Sequence, residues 1–572
     1  MRNAQIAAGL REIADLLEMT EENIFRIRAY RRAADAVEGL AEPVSVLLAR
    51  DPAAIPGVGA SIADHIKEIE TTGTTALTTT LHQQYPASVT ALLQVPGVGP
   101  KLAARAYREL GVATLADLEI AAGDGRLAAL TRVGAKTAAS ILRNIAAFKE
   151  RTGRLPLGEA LPLVERVMAA LNAGGGLRRL DPAGSVRRYQ ETVGDLDLVG
   201  VADEPLVVME ALVKLPEVER VLGSGSTKTS VILAAGLQLD LRLVEAEDYG
   251  SLLQHFTGNK QHNIQLREYA VARGLKISEY GIENTATGAV QRFQTEEALY
   301  AALDLQYIPP ELRQGTDEIQ LALRHALPRL VELADMRGDL HMHTEWSDGT
   351  ATIDQMIQAA RARGYRYMAI SDHSGGLGIA RGLTPERLRA QIAAVREAAA
   401  RYPDIQVFTA SEVDIRADGA MDFPDDVLAE LDLVIGSIHS AMNQSPAEAT
   451  ARLLRAIENP HVDIIGHPST RIVGGREGVE FDRMAVFAAA ARTGTAMEVN
   501  ANPSRLDLRD ADIRLALEVG VKLTIDTDAH AVDGLDLMEY GVRTARRGGA
   551  RREDIWNAAP MEELTAWLGR DR

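Results

Sequence analysis

Cysteine is absent from all 572 residues. Disulfides are thereby excluded, and any metal site must be built from nitrogen and oxygen ligands. Aromatic residues make up 4% of the chain against 46% hydrophobic residues overall, so its cores are aliphatic. No stretch approaches the roughly 18–20 consecutive apolar residues of a membrane span. The N-terminal MRNAQIAAGLREIADLLEM carries acidic residues throughout and lacks the continuous apolar run of a signal peptide. A cytoplasmic protein that engages no membrane is expected. The length implies several domains rather than one core. Net positive charge is also lacking, with 62 Lys and Arg facing 80 Asp and Glu for a formal charge of −18. That balance does not exclude nucleic acid, because charges act over a Debye length of about 8–10 Å. Residues 1–150 are close to neutral, and the positive side chains are mostly arginine, suited to paired phosphate contacts.

What is present is a pattern repeated from residue 336 onward. Seven apolar runs of strand character each end in a side chain able to bind metal. MRGDLHMHT delivers His341 and His343, YMAISDH delivers Asp372 and His373, and VFTASEVD delivers Glu412. LVIGSIHS ends in His439, VDIIGHP in His467, AMEVNANP in Glu498 and Asn500, and VKLTIDTDAH in Asp528 and His530. Amphipathic helical stretches such as TIDQMIQAARARG and PAEATARLLRAIE lie between most of them. Strand, ligand and helix in alternation predict a (β/α) barrel with its site at the strand C-termini. A lone histidine in such a place is more often solvated or hydrogen-bonded. Six of the 12 histidines of the chain fall at these strand ends, however, and the set reads as a metal centre. Imidazoles and carboxylates on one rim suit a hydrolase that clamps a phosphate and lowers the pKa of a bound water.

The segment resembles the polymerase-and-histidinol-phosphatase (PHP) phosphoesterases, through HMH with Asp348, the Asp-His pair, the isolated histidine and DxH, over residues 336–572. The resemblance implies a distorted (β/α)7 barrel with up to three ions, Zn²⁺ or Mn²⁺ or both. His341, His343, Glu412 and Asp528 would hold the first. Asp348, His373 and His530 would hold the second. Glu412, His439 and His467 would hold the third, with Glu412 bridging. Many relatives have His where Asp348 stands, and the carboxylate would shift preference toward the harder Mn²⁺.

In the N-terminal third a shorter unit recurs: IPGVGASIADHI at 55–66, VPGVGPKLAARAY at 95–107 and TRVGAKTAASIL at 131–142. A Gly-hydrophobic-Gly turn opening an amphipathic helix permits positive φ and points consecutive backbone N–H groups outward at a helix N-terminus. Such a turn binds phosphate without reading sequence. One of them alone is more often a packing turn. Three in register resemble helix-hairpin-helix elements, with Gly57, Gly59, Gly97, Gly99, Lys101 and Gly134 as the expected DNA contacts. The third unit has Arg132 for the leading Pro and a single Gly. Upstream, NIFRIRAYRRAADAVEGL places Arg26, Arg28, Arg31 and Arg32 on one helical stretch, either a solvated face or a further phosphate-binding one.

GSVRRYQETVGDLDLVG at 184–200 alternates Asp195 and Asp197 with Leu196 and Leu198, so both carboxylates leave one face of a strand. GLQLDLRLV at 236–244 repeats the alternation with Asp240 and Arg242. Three carboxylates on neighbouring strands make a cage for two hard cations roughly 3.5–4 Å apart, able to activate a 3′-hydroxyl and stabilise leaving pyrophosphate. A pair of merely exposed strand aspartates explains DLD poorly, since acidic residues are depleted in strands and like charges repel.

Here the chain resembles the X-family DNA polymerases of the nucleotidyltransferase superfamily, from its first helix to about residue 315. The resemblance implies Asp195, Asp197 and Asp240 as ligands of Mg²⁺ or Mn²⁺, with Arg242 tethering them. Arg154, Ser185, Arg188 and Gly194 would hold the incoming triphosphate, and Phe256, Gly258 and Asn263 would face the nucleotide. The segment 255–282 matches the thumb, and the GSTKTSVIL run supports the palm. Two departures stand out: His255-Phe256 replaces the Tyr-Phe pair of the animal enzymes, and His65 aligns with their Schiff-base lysine.

The expected organisation is multidomain. A helical DNA-binding domain spans 1–85, fingers with helix-hairpin-helix 86–152, the α/β nucleotidyltransferase palm 153–243 and the thumb 244–315. A partly helical linker follows over 316–335, then the barrel over 336–572. The expected function is gap-filling DNA polymerase in base excision repair fused to a metal-dependent 3′-5′ exonuclease or phosphoesterase, acting as a monomer on gapped or primed DNA with dNTP. The rival readings are a DNA-binding scaffold with an inactive palm that delivers the nuclease, and a non-enzymatic scaffold with a structural metal barrel.

Overall fold

A computed structural model describes residues 3–38, 44, 55, 58–95, 97–131, 133–152, 154–376 and 380–570. The chain divides into two compact units, Met1–Thr152 and Gly153–Arg572. The first is helical. On α1 (Asn3–Met19), Ile6, Leu10, Ile13 and Leu17 recur at helical spacing and are buried. They share one hydrophobic core with α2 (Ile24–Glu38), α3 (Ala60–Thr72), α4 (Pro100–Leu110) and α5 (Ala135–Thr152), through side chains such as Tyr30, Ile66, Ala103 and Ile141. The two N-terminal pieces expected from the sequence therefore pack around a common centre.

The second unit opens with a five-stranded sheet. Its strands are β1 (Leu177–Pro182), β2 (Asp195–Ala202), β3 (Val218–Ser224), β4 (Lys228–Leu233) and β5 (Gln238–Leu243), in the order β1-β2-β5-β4-β3. Only β2 and β5 pair in parallel, and their register sets Asp197 beside Asp240. Leu196 and Leu198 are buried under α6 (Leu157–Ala173) and α7 (Pro205–Val213), while α8 (Tyr249–Thr257) covers the opposite face against Val199 and Val201. The thumb follows with α9 (Lys260–Val271), a small antiparallel sheet, and α10 (Glu296–Ala301). Its core also takes in Ile319, Ala322, Leu327 and Leu330, so residues 316–335 are built into the thumb as well as connecting it onward.

Glu296 locks palm to thumb. Its buried carboxylate lies 2.6 Å from Arg187 of the palm and 2.5 Å from Arg313 of the thumb. Burial alone would raise its pKa, but the charges of Arg313 and Arg187 override it and hold the group at about 2. Glu296→Gln should destabilise the unit by about 3–5 kcal/mol, because two buried guanidinium groups lose their counter-charge. A denaturant midpoint equal to the parent's at the same m-value would contradict this. Since the folded pKa is depressed, the contribution is complete above the ordinary value of 4.5 and is lost as pH falls through about 2.

Seven parallel strands complete the chain: β6 (Gly338–Asp339), β7 (Tyr367–Ile370), β8 (Gln406–Asp414), β9 (Leu433–Ser437), β10 (Ile464–Ile465), β11 (Ala496–Asn500) and β12 (Leu523–Asp526). They pair in sequence order, and a bridge between Met342 and Ala529 nearly closes the ring into the expected barrel. Interior residues Leu340, Tyr367, Phe408, Leu433 and Ile464 cluster with Leu564 and Trp567 of the last helix, Met561–Leu568, which plugs the N-terminal end of the strands. The opposite end is left for chemistry. Among the described residues no helix is long and apolar enough to cross a membrane.

Candidate active sites in the palm and the barrel

In the palm, the turn Gly184–Arg187 presses directly on Asp197. Gly184 has φ +58, and a Cβ there would stand 2.5 Å from Asp197 Oδ2, so only glycine lets the turn close over the carboxylate. Burial, then the charges of Asp195 and Asp240, push the Asp197 carboxyl up to about 7. Carboxylates that repel one another this strongly in a half-buried place call for cations. In front of them lies a cleft of about 610 Å³ lined by Arg154, Ser185, Arg188, Asp195, Asp197, Phe256, Gly258 and Asn263. The Ser185 hydroxyl and Arg188 Nε are buried there without a hydrogen-bond partner, as groups awaiting a ligand would be. Burial and the neighbouring charges of Arg547 and Arg313 lower Arg188 only to about 10, so it stays cationic at neutral pH.

Two expected nucleotide contacts stand apart from the cleft. Gly194 sits behind Arg154, where an added Cβ would lie 3.0 Å from Nη1. Arg242, expected to tether the carboxylates, stacks its guanidinium over Phe256 at 4.4 Å and reaches Asp197 only through its charge. The contact to Asp240 is made by Lys228 of β4, at 2.9 Å, and by Gln238. Sequence reasoning did not single out Lys228, nor Lys260 and Arg267, which add positive charge to the cleft wall. The alternation of KTSVIL opposite DLR was the available signal, because antiparallel β4 sets Lys228 across from Arg242.

At the C-terminal end of the barrel strands, nine expected ligands converge. His341, His343, Glu412 and Asp528 form one group, and His343, Asp348, His373 and His530 a second. His373, Glu412 and His439 form a third. His467, expected in that third set, approaches Glu412 Oε1 at 2.9 Å. Glu412 lies at the centre, with His373 at 2.9 Å, His439 at 3.2 Å, His341 at 3.4 Å and His343 at 3.5 Å. The chain leaves the sheet sharply here: Asp528 has φ +54 and His467 φ +27, strained values that the packing enforces.

Burial opposes the charge of Glu412, yet His439, His373 and His341 hold its carboxyl well below the usual range. Burial, then His530 and His373, push His343 down to about 3, leaving a neutral imidazole. His439 and His530 are held up at about 9 against burial, the first chiefly by Glu412 and the second by Asp348 and Asp528. Several ring nitrogens and Glu412 Oε2 are buried without a hydrogen-bond partner. A donor set of imidazoles and ionised carboxylates with orphaned lone pairs fits divalent cations, whose uptake would displace the imidazolium protons.

Asp372, Glu498 and Asn500, which the sequence placed among the strand-end metal binders, lie outside these three groups. Glu498 instead takes His341 Nδ1 at 2.6 Å, turning Nε2 toward the cluster. Asn500 donates to Glu498 and to Asp528 Oδ2, and Asp372 accepts from Thr344 and Ser347 beneath His343. These are the outer partners that fix ring orientation and ligand basicity.

The three N-terminal turns share one backbone hydrogen bond: Val58 N–H to Ile55 O, Val98 to Val95 and Val133 to Leu130. Positive φ occurs at Gly97, whereas Gly59 and Gly99 are extended helix N-caps. At Gly59, Gly99 and Gly134 an added Cβ would meet nothing within 4 Å. Packing within the chain does not demand these glycines, which leaves room for an outside surface to come close. Gly57 and Arg132 lie outside the described residues.

Comparison with known proteins bears on all of these regions. Residues 1–75 match a helix-hairpin-helix domain, 89–146 a SAM-like helix-hairpin-helix tandem, 252–314 the DNA polymerase beta thumb and 339–502 the PHP domain. Over the full length of both chains the sequence is 39% identical to the DNA polymerase/3′-5′ exonuclease PolX of Bacillus subtilis. The barrel alone is similar to smaller proteins. It is 28% identical to a probable phosphatase of Syntrophotalea carbinolica, over 40% of this chain and 95% of that one. It is 27% identical to a probable phosphatase of Thermoanaerobacter, over 38% and 89%.

Proposed function

The chain belongs to the family of the DNA polymerase/3′-5′ exonuclease PolX, and from that premise we propose that it fills short gaps in DNA and processes 3′ ends in repair. The observation that carries this reading is the pairing of two separate carboxylate-rich centres in one compact unit, one beside a cationic cleft and one on a histidine-lined rim. Divalent cations, Mg²⁺ or Mn²⁺ in the palm and Zn²⁺, Mn²⁺ or both in the barrel, would supply Lewis-acid activation of phosphate and attacking oxygen.

In the palm, Asp195, Asp197 and Asp240 hold the charge that directs a primer 3′-hydroxyl at the α-phosphate of a dNTP, with pyrophosphate leaving. Arg154, Arg188 and Ser185 bind the triphosphate, with Gly194 giving Arg154 room. Phe256, Gly258 and Asn263 wall the nucleotide, and Arg242 keeps Phe256 in place. On the barrel rim the nine ligands form the centre for 3′-5′ phosphodiester cleavage. The glycine turns and Lys101 grip the DNA backbone on the 5′ side of a gap. The working domains are the helical unit, the palm, a thumb that takes in much of 316–335, and the barrel, in a cytoplasmic monomer.

The rival reading, a DNA-binding scaffold with an inactive palm, has the complete carboxylate triad against it. One gapped duplex with its primer labelled at the 5′ end decides between them: the primer should gain nucleotides when dNTP is present and lose them when dNTP is withheld. Chelation should stop both reactions. Loss without gain under every metal tested would favour the scaffold.

The N-terminal unit should bind a gap 5′-phosphate yet be a poor abasic-site lyase. A Schiff-base nucleophile needs an amine that is partly neutral. His65 occupies the aligned position and is hydrogen-bonded to Tyr30 at 2.9 Å. Lys67 is exposed, within 3.9 Å of Asp64, and stands about 200° further round the helix. A 5′-phosphate should therefore tighten gap binding by the full-length protein, while borohydride traps little adduct on an abasic substrate. Efficient trapping that disappears in Lys67→Ala would make Lys67 the nucleophile instead.

A further inference from the structure

The palm segment 188–192 carries the side chains that shape the triphosphate end of the cleft, yet much of what holds it comes from the barrel. Arg188 faces the cleft, and Thr192 fixes Arg154 through its hydroxyl at 2.9 Å and its carbonyl at 2.6 Å. Helix α11 (Met538–Arg547) lies directly behind this segment. Arg547 Nη1 donates to the Arg188 carbonyl at 3.0 Å, and its other branch is anchored on Asp510. Tyr189 donates to Glu539 at 3.3 Å. Two residues on, Glu191 is ion-paired with Arg471, which also donates to the Arg505 carbonyl at 2.9 Å and the Leu506 carbonyl at 2.7 Å. Arg471 lies four residues beyond His467, and Arg505 stands 3.6 Å from Asp528. One short strip of palm is thus gripped at three successive points by the domain that carries the other active site.

We propose that the barrel is a working part of the nucleotide site, with Arg547, Glu539 and Arg471 acting as positioning residues that hold Arg188 and Arg154 at the spacing a dNTP triphosphate requires. The proposal rests on the reading of Arg188 and Arg154 as triphosphate ligands. Within the palm the segment is held chiefly by backbone bonds, Tyr189 and Gln190 N–H to the Val186 and Ser185 carbonyls and Leu157 N–H to the Glu191 carbonyl, and Arg547, Glu539 and Arg471 add side-chain contacts from the barrel. The backbone of Arg188 is the attachment point of a long, cationic, half-buried side chain, so a shift of its carbonyl is carried to the guanidinium. A misplacement of about 1 Å in a binding constellation is enough to cost up to roughly 10²-fold in rate. None of the three barrel residues belongs to the groups that converge on Glu412, so their effect on nucleotide addition should be separable from cleavage on the rim.

The test uses the full chain, with the dNTP KM and kcat of single-nucleotide gap filling measured beside phosphodiester cleavage in the same preparations. Arg547→Gln should raise the dNTP KM by about tenfold or more while kcat changes far less, the split expected when ground-state binding is lost. Arg547→Lys, which keeps a donor, should recover part of the loss, and cleavage should stay at the parent level in both. Glu191→Gln removes one ion pair at a partly exposed carboxylate and should raise KM severalfold, so the proposal stays testable if Arg547→Gln fails to fold. Arg188→Ala separates the two ideas. If it leaves KM unchanged, the triphosphate reading falls and this proposal falls with it. If it raises KM while Arg547→Gln and Glu191→Gln both match the parent, the barrel has no positioning role and this proposal alone is overturned.

Discussion

Asp195→Ala and Asp197→Ala should each slow nucleotide addition by roughly 10³-fold or more while leaving phosphodiester cleavage intact, because each removes charge aimed at the transition state rather than a contact that holds the fold. The geometry makes Asp197 the more sensitive. Its pKa is driven up to about 7 by burial and by Asp195 and Asp240, and Gly184 closes directly over it. An alanine there leaves the leucines of β2 in the core undisturbed, since Leu196 and Leu198 face the other way. Asp197→Asn keeps the shape but not the charge, and should be nearly as damaging as alanine. Extension of a primer across a short gap near the parent rate by either alanine variant would refute the palm assignment.

Glu412→Ala should have an effect as large on the other reaction. Its carboxylate is shared by two of the three candidate metal clusters, as His343 and His373 are, and it is the carboxylate approached by five imidazoles. Removing it leaves those imidazoles crowded together without the anion that gathers them. Metal content per chain should fall, and cleavage should drop by roughly 10³-fold or more, well beyond the 10–100-fold usual for a change in an outer partner. Glu498→Gln supplies that comparison, since Glu498 lies outside the three clusters and supports them from behind, through His341 and the His467 N–H. Gap filling by folded Glu412→Ala should stay at the parent level. If Glu498→Gln proved the more harmful of the two, the placement of Glu412 at the centre would be mistaken.

How much of this was legible beforehand follows from what local sequence encodes. Period-two alternation reports which face a strand residue takes, and so DLD and DLR announced three carboxylates on one face before any strand was paired. Strand-end chemistry likewise placed His341, His343, Glu412, His439 and His530 on one rim. Periodicity cannot rank residues within that rim. Glu498 and Glu412 look alike in sequence, and only the ring of strands decides that one faces the cluster while the other sits behind His341. Lys228 stayed hidden because its role depends on register across a sheet. The grip of Arg547 on Arg188 joins residues 359 positions apart, and nothing in either segment anticipates the other. The residues of 316–335 read as a connector because a six-residue helix, followed by Pro328, gives no sign of which core its apolar side chains will enter.

The plug at the foot of the barrel has a consequence for how the molecule comes into being. Leu564 and Trp567, which seal the interior, belong to the last helix, and Trp567 stacks on Trp556 at 4.9 Å. Asp528 and His530 are also late in the chain, as is the helix that braces the palm. Synthesis from the N-terminus therefore delivers the helical unit first, the palm carboxylates next, and the last barrel ligands and the seal beneath them only at the end. A chain that stops before the last helix carries every candidate ligand yet lacks the side chains that close the barrel beneath them.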